Sequence, residues 1–149
     1  MTDDSPVLVG ELNPYGVDPR YALYPLPERA SGHRLQELVL GIRPRDYIRL
    51  RRFNLCTGKW SMRDARTRAA GLKEEYAAST LVLLGRKVAT AFDCGHLALF
   101  ARSVGVDRSI VVIPHPSGLC RVWNEPDSFD RARTLVRDAC PSWAARVGL

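Results

Sequence analysis

Short apolar runs separated by helical stretches constrain this chain more than any other feature. Val7 to Val9, Thr80 to Leu84 and Ser109 to Ile113 are almost wholly apolar, as strands buried on both faces of a parallel sheet must be. The second run in chain order, Ile48 to Leu55, alternates, with Arg49, Arg51 and Arg52 interleaved. Helical patterns fall between and after them. His33 to Leu40 carries Leu35, Leu38 and Leu40 and stops at Gly41. Ser61 and Asp64 form a capping box for a helix running to about Ala77. Gly85 to Phe92 follows the third run directly, and Leu97 to Ser103 is a weaker helical segment. Asp127 caps a last helix with the apolar face Phe129, Ala132, Leu135, Val136 and Ala139, followed by Pro141. The order β-α-β-α-β-α-β-α predicts an α/β fold: a three-layer α/β/α sandwich around a central four-stranded parallel sheet.

At 149 residues the chain has the size of one domain. With 46% apolar and 26% charged residues, order is expected beyond Thr2 to Ser5. The formal net charge of +6 rests mainly on arginine. That balance permits a nucleic-acid partner without demanding one. The clusters Arg43/Arg45, Arg49/Arg51/Arg52 and Arg63/Arg66/Arg68 read first as solvated faces. Cys56, Cys94, Cys120 and Cys140 form no C-x-x-C pair, so free thiols are expected rather than a zinc site or a disulfide framework. No signal-like segment and no apolar run of membrane-spanning length is present, so a cytoplasmic protein is expected.

In open α/β sheets ligands sit beyond the carboxyl ends of the strands. The first strand leads into Gly10-Glu11-Leu12-Asn13-Pro14-Tyr15-Gly16. Pro14 holds Asn13 in an extended conformation, which fixes the direction of a polar side chain at a strand tip. An ordinary Asn-Pro turn would read the same way. Glu11 is either a second acid or a solvated loop residue. The second run ends in Phe53-Asn54-Leu55-Cys56-Thr57-Gly58, where the Asn54 amide both donates and accepts, so it either reads a pyrimidine edge or ties down its own loop. The fourth ends in Pro114-His115-Pro116-Ser117-Gly118-Leu119-Cys120-Arg121. His115 is held between two prolines. Ser117 and Gly118 suit a phosphate, and Leu119 is either a wedge between bases or a cap on the core.

Together these segments resemble the uracil-DNA glycosylase superfamily. Its first motif is matched by Asn13-Pro14-Tyr15, its last by His115-Pro116-Ser117-Gly118-Leu119, and its second-strand asparagine by Asn54. Leu81 to Gly85, entering a helix, resembles its third strand. The resemblance runs from Val7 to about Ala139.

The resemblance implies a monofunctional DNA glycosylase that flips out uracil or a related modified pyrimidine and hydrolyses its N-glycosidic bond. Asn13 would hold the attacking water and His115 would donate to the departing base. Tyr15 would exclude the thymine methyl, Asn54 would read the base edge, and Tyr24 would supply a stacking face. Ser31 and Ser117 would pinch phosphates, with Gly118, Leu119 and Arg121 on the DNA side and Leu119 filling the gap left by the flipped nucleotide. The implied partner is DNA, single- or double-stranded. The protein is expected to be a monomer with no cofactor, metal or iron–sulfur cluster. Two alternatives stay open: a same-fold enzyme acting on a nucleotide or modified base outside repair, and a non-catalytic DNA-binding module.

Overall fold

Successive side chains of a strand point to opposite faces, and here the two faces bury different clusters. The computed structural model describes residues 3–13, 18–105 and 108–149, with Asn13 as backbone only. Five strands form one sheet: β1 (Val7–Asn13), β2 (Arg51–Thr57), β3 (Leu81–Leu84), β4 (Ala101–Val104) and β5 (Ser109–Ile113). Leu8, Val82, Leu84, Val111 and Ile113 pack with Leu35, Val39, Leu40, Tyr47, Val136 and Trp143. Val7, Val9, Leu81, Leu83 and Val112 pack with Ala65, Ala69, Leu72, Val88 and Phe92. Each cluster draws on different helices, so both faces of the sheet are covered. The buried stretches Val7–Val9, Leu81–Leu84 and Val111–Ile113 carry no polar side chain because neither face of the sheet meets water there.

The helices are α1 (Ser31–Arg34), running straight into a π-helical segment (Leu35–Leu40), then α2 (Pro44–Ile48), α3 (Met62–Glu75), α4 (Arg86–Ala91), α5 (Ser128–Ala139) and α6 (Pro141–Val147). Gly41 ends the first of these at φ +64°, as a left-handed terminator should. Ser61 caps α3, its hydroxyl accepting from the Asp64 N–H at 3.3 Å. Asp127 occupies the cap position of α5, but its carboxylate makes no capping hydrogen bond.

The strand order is β2-β1-β3-β5-β4. The first four are mutually parallel; β4 is antiparallel to β5. The expected four-stranded parallel sheet is therefore corrected to five strands, one antiparallel. The fifth comes from the segment read as a weak helix over Leu97 to Ser103. Without it, β5 would leave a row of backbone groups unpaired at the sheet edge. Ala101–Val104 pairs with these in register, and a Gly105 N–H to Arg108 O bond of 2.7 Å closes the hairpin.

Two short helices went unread in the sequence. Both α2 and α6 begin on proline, which is tolerated in a first helical turn where the missing N–H has no partner to lose. Pro141 thus starts a helix as well as ending one. The Asp4 carboxylate caps α6, accepting from Ser142 N at 2.9 Å and Trp143 N at 2.6 Å. The strand expected from Ile48 begins only at Arg51, because Ile48 belongs to α2. All four cysteines are free thiols. Among the described residues, no helix is long and apolar enough to cross a membrane.

Candidate active site

The sheet order creates a switch point: from β1 the chain moves to β2 on one side, then to β3 on the other. A crevice opens beyond the strand tips at such a point. A cavity of about 390 Å³ lies there, lined by Glu11, Leu12, Tyr21, Leu23, Tyr24, Arg29, Ala30, Ser31, Gly32, Asn54 and His115. Its size suits a small organic ligand.

Glu11 on β1 and His115 after β5 come from strands that are not neighbours, since β3 lies between them. The tip of β3 is Gly85, at φ +100°. A Cβ on Gly85 would meet His115 Cβ at 3.2 Å and Glu11 Oε1 at 3.6 Å. Glycine at this tip therefore serves two ends. It adopts a backbone conformation other residues avoid, and it leaves a gap across which the carboxylate and the imidazole approach each other.

His115 is half-buried, and its Nδ1 accepts the Ser117 N–H at 3.1 Å. That bond requires an unprotonated Nδ1 and so puts the ring proton on Nε2. Burial holds the imidazole below its ordinary pKa, and Lys87 pushes the same way, while the Glu11 carboxylate opposes both. The ring is therefore neutral at pH 7, with a single N–H donor. The neighbouring backbone is held too. Trp123 Nε1 donates to His115 O at 2.7 Å, and Arg34 Nε donates to Pro116 O at 2.8 Å.

Asn54 stands between Phe53 and Leu55, both of which pack in the cluster under α3 and α4. Its own side chain lines the cavity instead. Both Oδ1 and Nδ2 are buried, and neither has a hydrogen-bond partner among the described residues. A buried amide left unsatisfied costs about 1–3 kcal/mol. Among the described residues it is an unpartnered donor–acceptor pair on a residue that lines the cavity.

The far wall is the segment between β1 and α1. Leu23 and Arg29 both hold left-handed backbone, at φ +50° and +72°. Strain of this kind, about 1–3 kcal/mol per residue, persists only where the surroundings enforce it. Three contacts do so around Leu23. The buried Tyr47 hydroxyl donates to Leu23 O at 2.6 Å, and Arg52 donates to Ala22 O at 3.2 Å. Gly32 lets α1 pack directly on this segment, since a Cβ there would lie 2.2 Å from the carbonyl oxygens of Leu23 and Tyr24. The wall presents Tyr24 and Tyr21, edge to face with ring centres 5.1 Å apart.

Of the residues singled out in the sequence, His115, Asn54, Tyr24 and Ser31 line one cavity. Ser117, Gly118, Leu119 and Arg121 lie outside it on the adjoining loop. There the Ser117 hydroxyl accepts from Leu119 N at 3.1 Å, Leu119 is 93% exposed, and Arg121 begins a short 3-10 turn ending at Asn124. The Asn13 side chain and Tyr15 lie outside the described residues. Sequence reasoning missed Tyr21, Arg29, Gly10 and Arg34, and it left Glu11 undecided. The one available signal was Glu11 itself, an acid two residues after the last apolar residue of a fully buried strand.

Searches against protein-family models and against curated proteins give no match for this chain.

Proposed function

We propose that this protein is a monofunctional DNA glycosylase that removes uracil or a related modified pyrimidine from DNA. The observation that carries this reading is the Asn54 amide, buried with both polar atoms unpartnered among the described residues, on a residue that lines a cavity with His115 and Glu11. An adjacent donor and acceptor match the N–H and C=O of a pyrimidine edge. The three-layer α/β/α architecture outlined by the two core clusters accords with the same reading.

In this mechanism the nucleotide leaves the stack and its base enters the cavity against Tyr24. The C1′–N1 bond breaks with its electron pair going to the base. Neutral His115 then donates its Nε2–H to the anionic base oxygen. One such preorganised donor is worth roughly 3 kcal/mol in the transition state. Water adds to C1′. The described group able to take its proton is the Glu11 carboxylate, across Gly85 from the imidazole. The role of water holder assigned to Asn13, and that of methyl filter assigned to Tyr15, remain part of the proposal. The exposed Leu119 favours a duplex substrate over a free nucleotide, because an apolar tip in solvent needs a base stack to enter.

The test is excision from labelled oligonucleotides carrying uracil, thymine, 5-hydroxymethyluracil, hypoxanthine or a modified cytosine, in single and double strands. Alkali-sensitive cleavage at uracil that disappears in His115→Ala is the expected result. Cleavage only at a bulkier base would keep the mechanism and overturn the pocket assignment. Intact oligonucleotides throughout, from well-folded protein, would reject the glycosylase reading.

A further inference from the structure

The loop carrying His115 has a backbone problem built into its sequence. Pro114 and Pro116 have no N–H, so carbonyls here must find donors elsewhere. The two successive carbonyls of His115 and Pro116 are each taken by a side chain from a different element. Trp123 Nε1 binds His115 O at 2.7 Å from the turn after the loop, and Arg34 Nε binds Pro116 O at 2.8 Å from α1.

Neither donor is free to wander. The Trp123 indole is buried, stacked on Phe129 at 10° with centres 5.2 Å apart, and met edge-on by Phe100 at 5.8 Å. Arg131 closes the far side of Phe100, with its guanidinium carbon 4.2 Å from the ring centre. The Arg34 guanidinium also lies beneath Gly118, whose Cβ, were one present, would be 3.7 Å from it. A stacked indole and a planar fork lose little freedom when they bind, so they hold direction well.

We infer that Trp123 and Arg34 are positioning residues that clamp the His115 loop from two sides, so that the imidazole direction and the Leu119 tip are set before any ligand arrives. Hydrogen bonds within the loop depend on that frame: Ser117 N–H to His115 Nδ1 at 3.1 Å, Leu119 N–H to Ser117 Oγ at 3.1 Å and Cys120 N–H to Ser117 O at 3.0 Å. The catalytic consequence rests on the glycosylase reading; the clamp itself does not.

Two variants separate these. Trp123→Phe keeps an aromatic ring between Phe100 and Phe129 but removes the N–H, and Arg34→Gln removes the fork from the other side. Amide hydrogen exchange of Ser117, Leu119 and Cys120 is measured alongside that of Leu81–Leu84 as an internal control. In each variant the three loop amides are expected to exchange about tenfold faster, the loss of one hydrogen bond, with β3 unchanged. On a uracil oligonucleotide, kcat should fall about tenfold with KM within about twofold. Unchanged loop exchange in both variants would overturn the clamp. Faster exchange with kcat intact would overturn its positioning role. If the wild type excises nothing while exchange still rises, the clamp stands and the glycosylase reading falls.

Discussion

Gly10 and Asn54 are in-register partners on β1 and β2, and the missing side chain of Gly10 is what makes room for the Asn54 amide. A Cβ on Gly10 would lie 2.5 Å from Asn54 Oδ1 and 2.9 Å from Leu23 Cδ2. One glycine therefore admits both the amide and the leucine of the opposite wall. Gly10→Ala is expected to destabilise the fold by about 1–3 kcal/mol through overpacking and to displace the amide. Asn54→Leu should behave oppositely. It removes two buried atoms that have no partners among the described residues. Its melting temperature should therefore equal or exceed that of the wild type, while base excision drops at least about 100-fold. Thermal unfolding and excision assays on the same two variants check both signs.

The imidazole of His115 should report its neighbours. Glu11 raises its pKa and Lys87 lowers it, against a larger depression from burial. Glu11→Gln is thus expected to lower the value further and Lys87→Met to raise it, as read by NMR titration of the ring. The sign for stability follows. The folded value lies below the ordinary one of about 6.5, so as pH falls the unfolded chain takes up the proton first. Stability owed to neutral His115 is complete above about pH 6.5 and is lost as the pH drops towards the folded value. Between pH 7 and 5 the wild type should therefore lose more stability than His115→Asn, measured by denaturant unfolding at each pH.

Tyr47 anchors the cavity wall from beneath. Its hydroxyl is buried and satisfied by Leu23 O, the carbonyl of a residue in left-handed backbone. Tyr47→Phe leaves that carbonyl without its donor and should cost about 1–3 kcal/mol. Because the strained wall also relaxes, KM for a uracil oligonucleotide should rise more than kcat falls. Urea unfolding and steady-state kinetics distinguish this from damage confined to the core.

Leu119 is the opposite case, 93% exposed and free of packing to lose. Leu119→Ala is expected to leave stability within about 0.5 kcal/mol. Excision from duplex should fall by about tenfold or more, and excision from single strands much less, because only the duplex must be opened. Equal losses on the two substrates would remove the wedge from the mechanism.

Much of this was legible in one dimension. Leu81–Leu84 and Ser109–Ile113 had to be apolar because helices cover both faces of the sheet, and that requirement is written locally. The Ser61 cap, the Gly41 stop and the placing of His115 just beyond the end of β5 are local in the same sense, whereas Asn54, expected near a strand end, lies mid-strand because β2 continues to Thr57. The antiparallel β4 was not legible. Its short, polar Ala101–Val104 has no strong period of its own and becomes a strand because β5 presents an open edge. The pairing of Glu11 with His115 was not legible either. It depends on β3 lying between β1 and β5 and ending in Gly85, which is a matter of strand order. Periodicity and turn chemistry act over a few residues, so the sequence alone determined most of the elements and the histidine beyond the tip of β5. Only the tertiary structure decided which tips face one another, which side chains hold His115 in place, and that the amide of Asn54 is buried without a partner among the described residues.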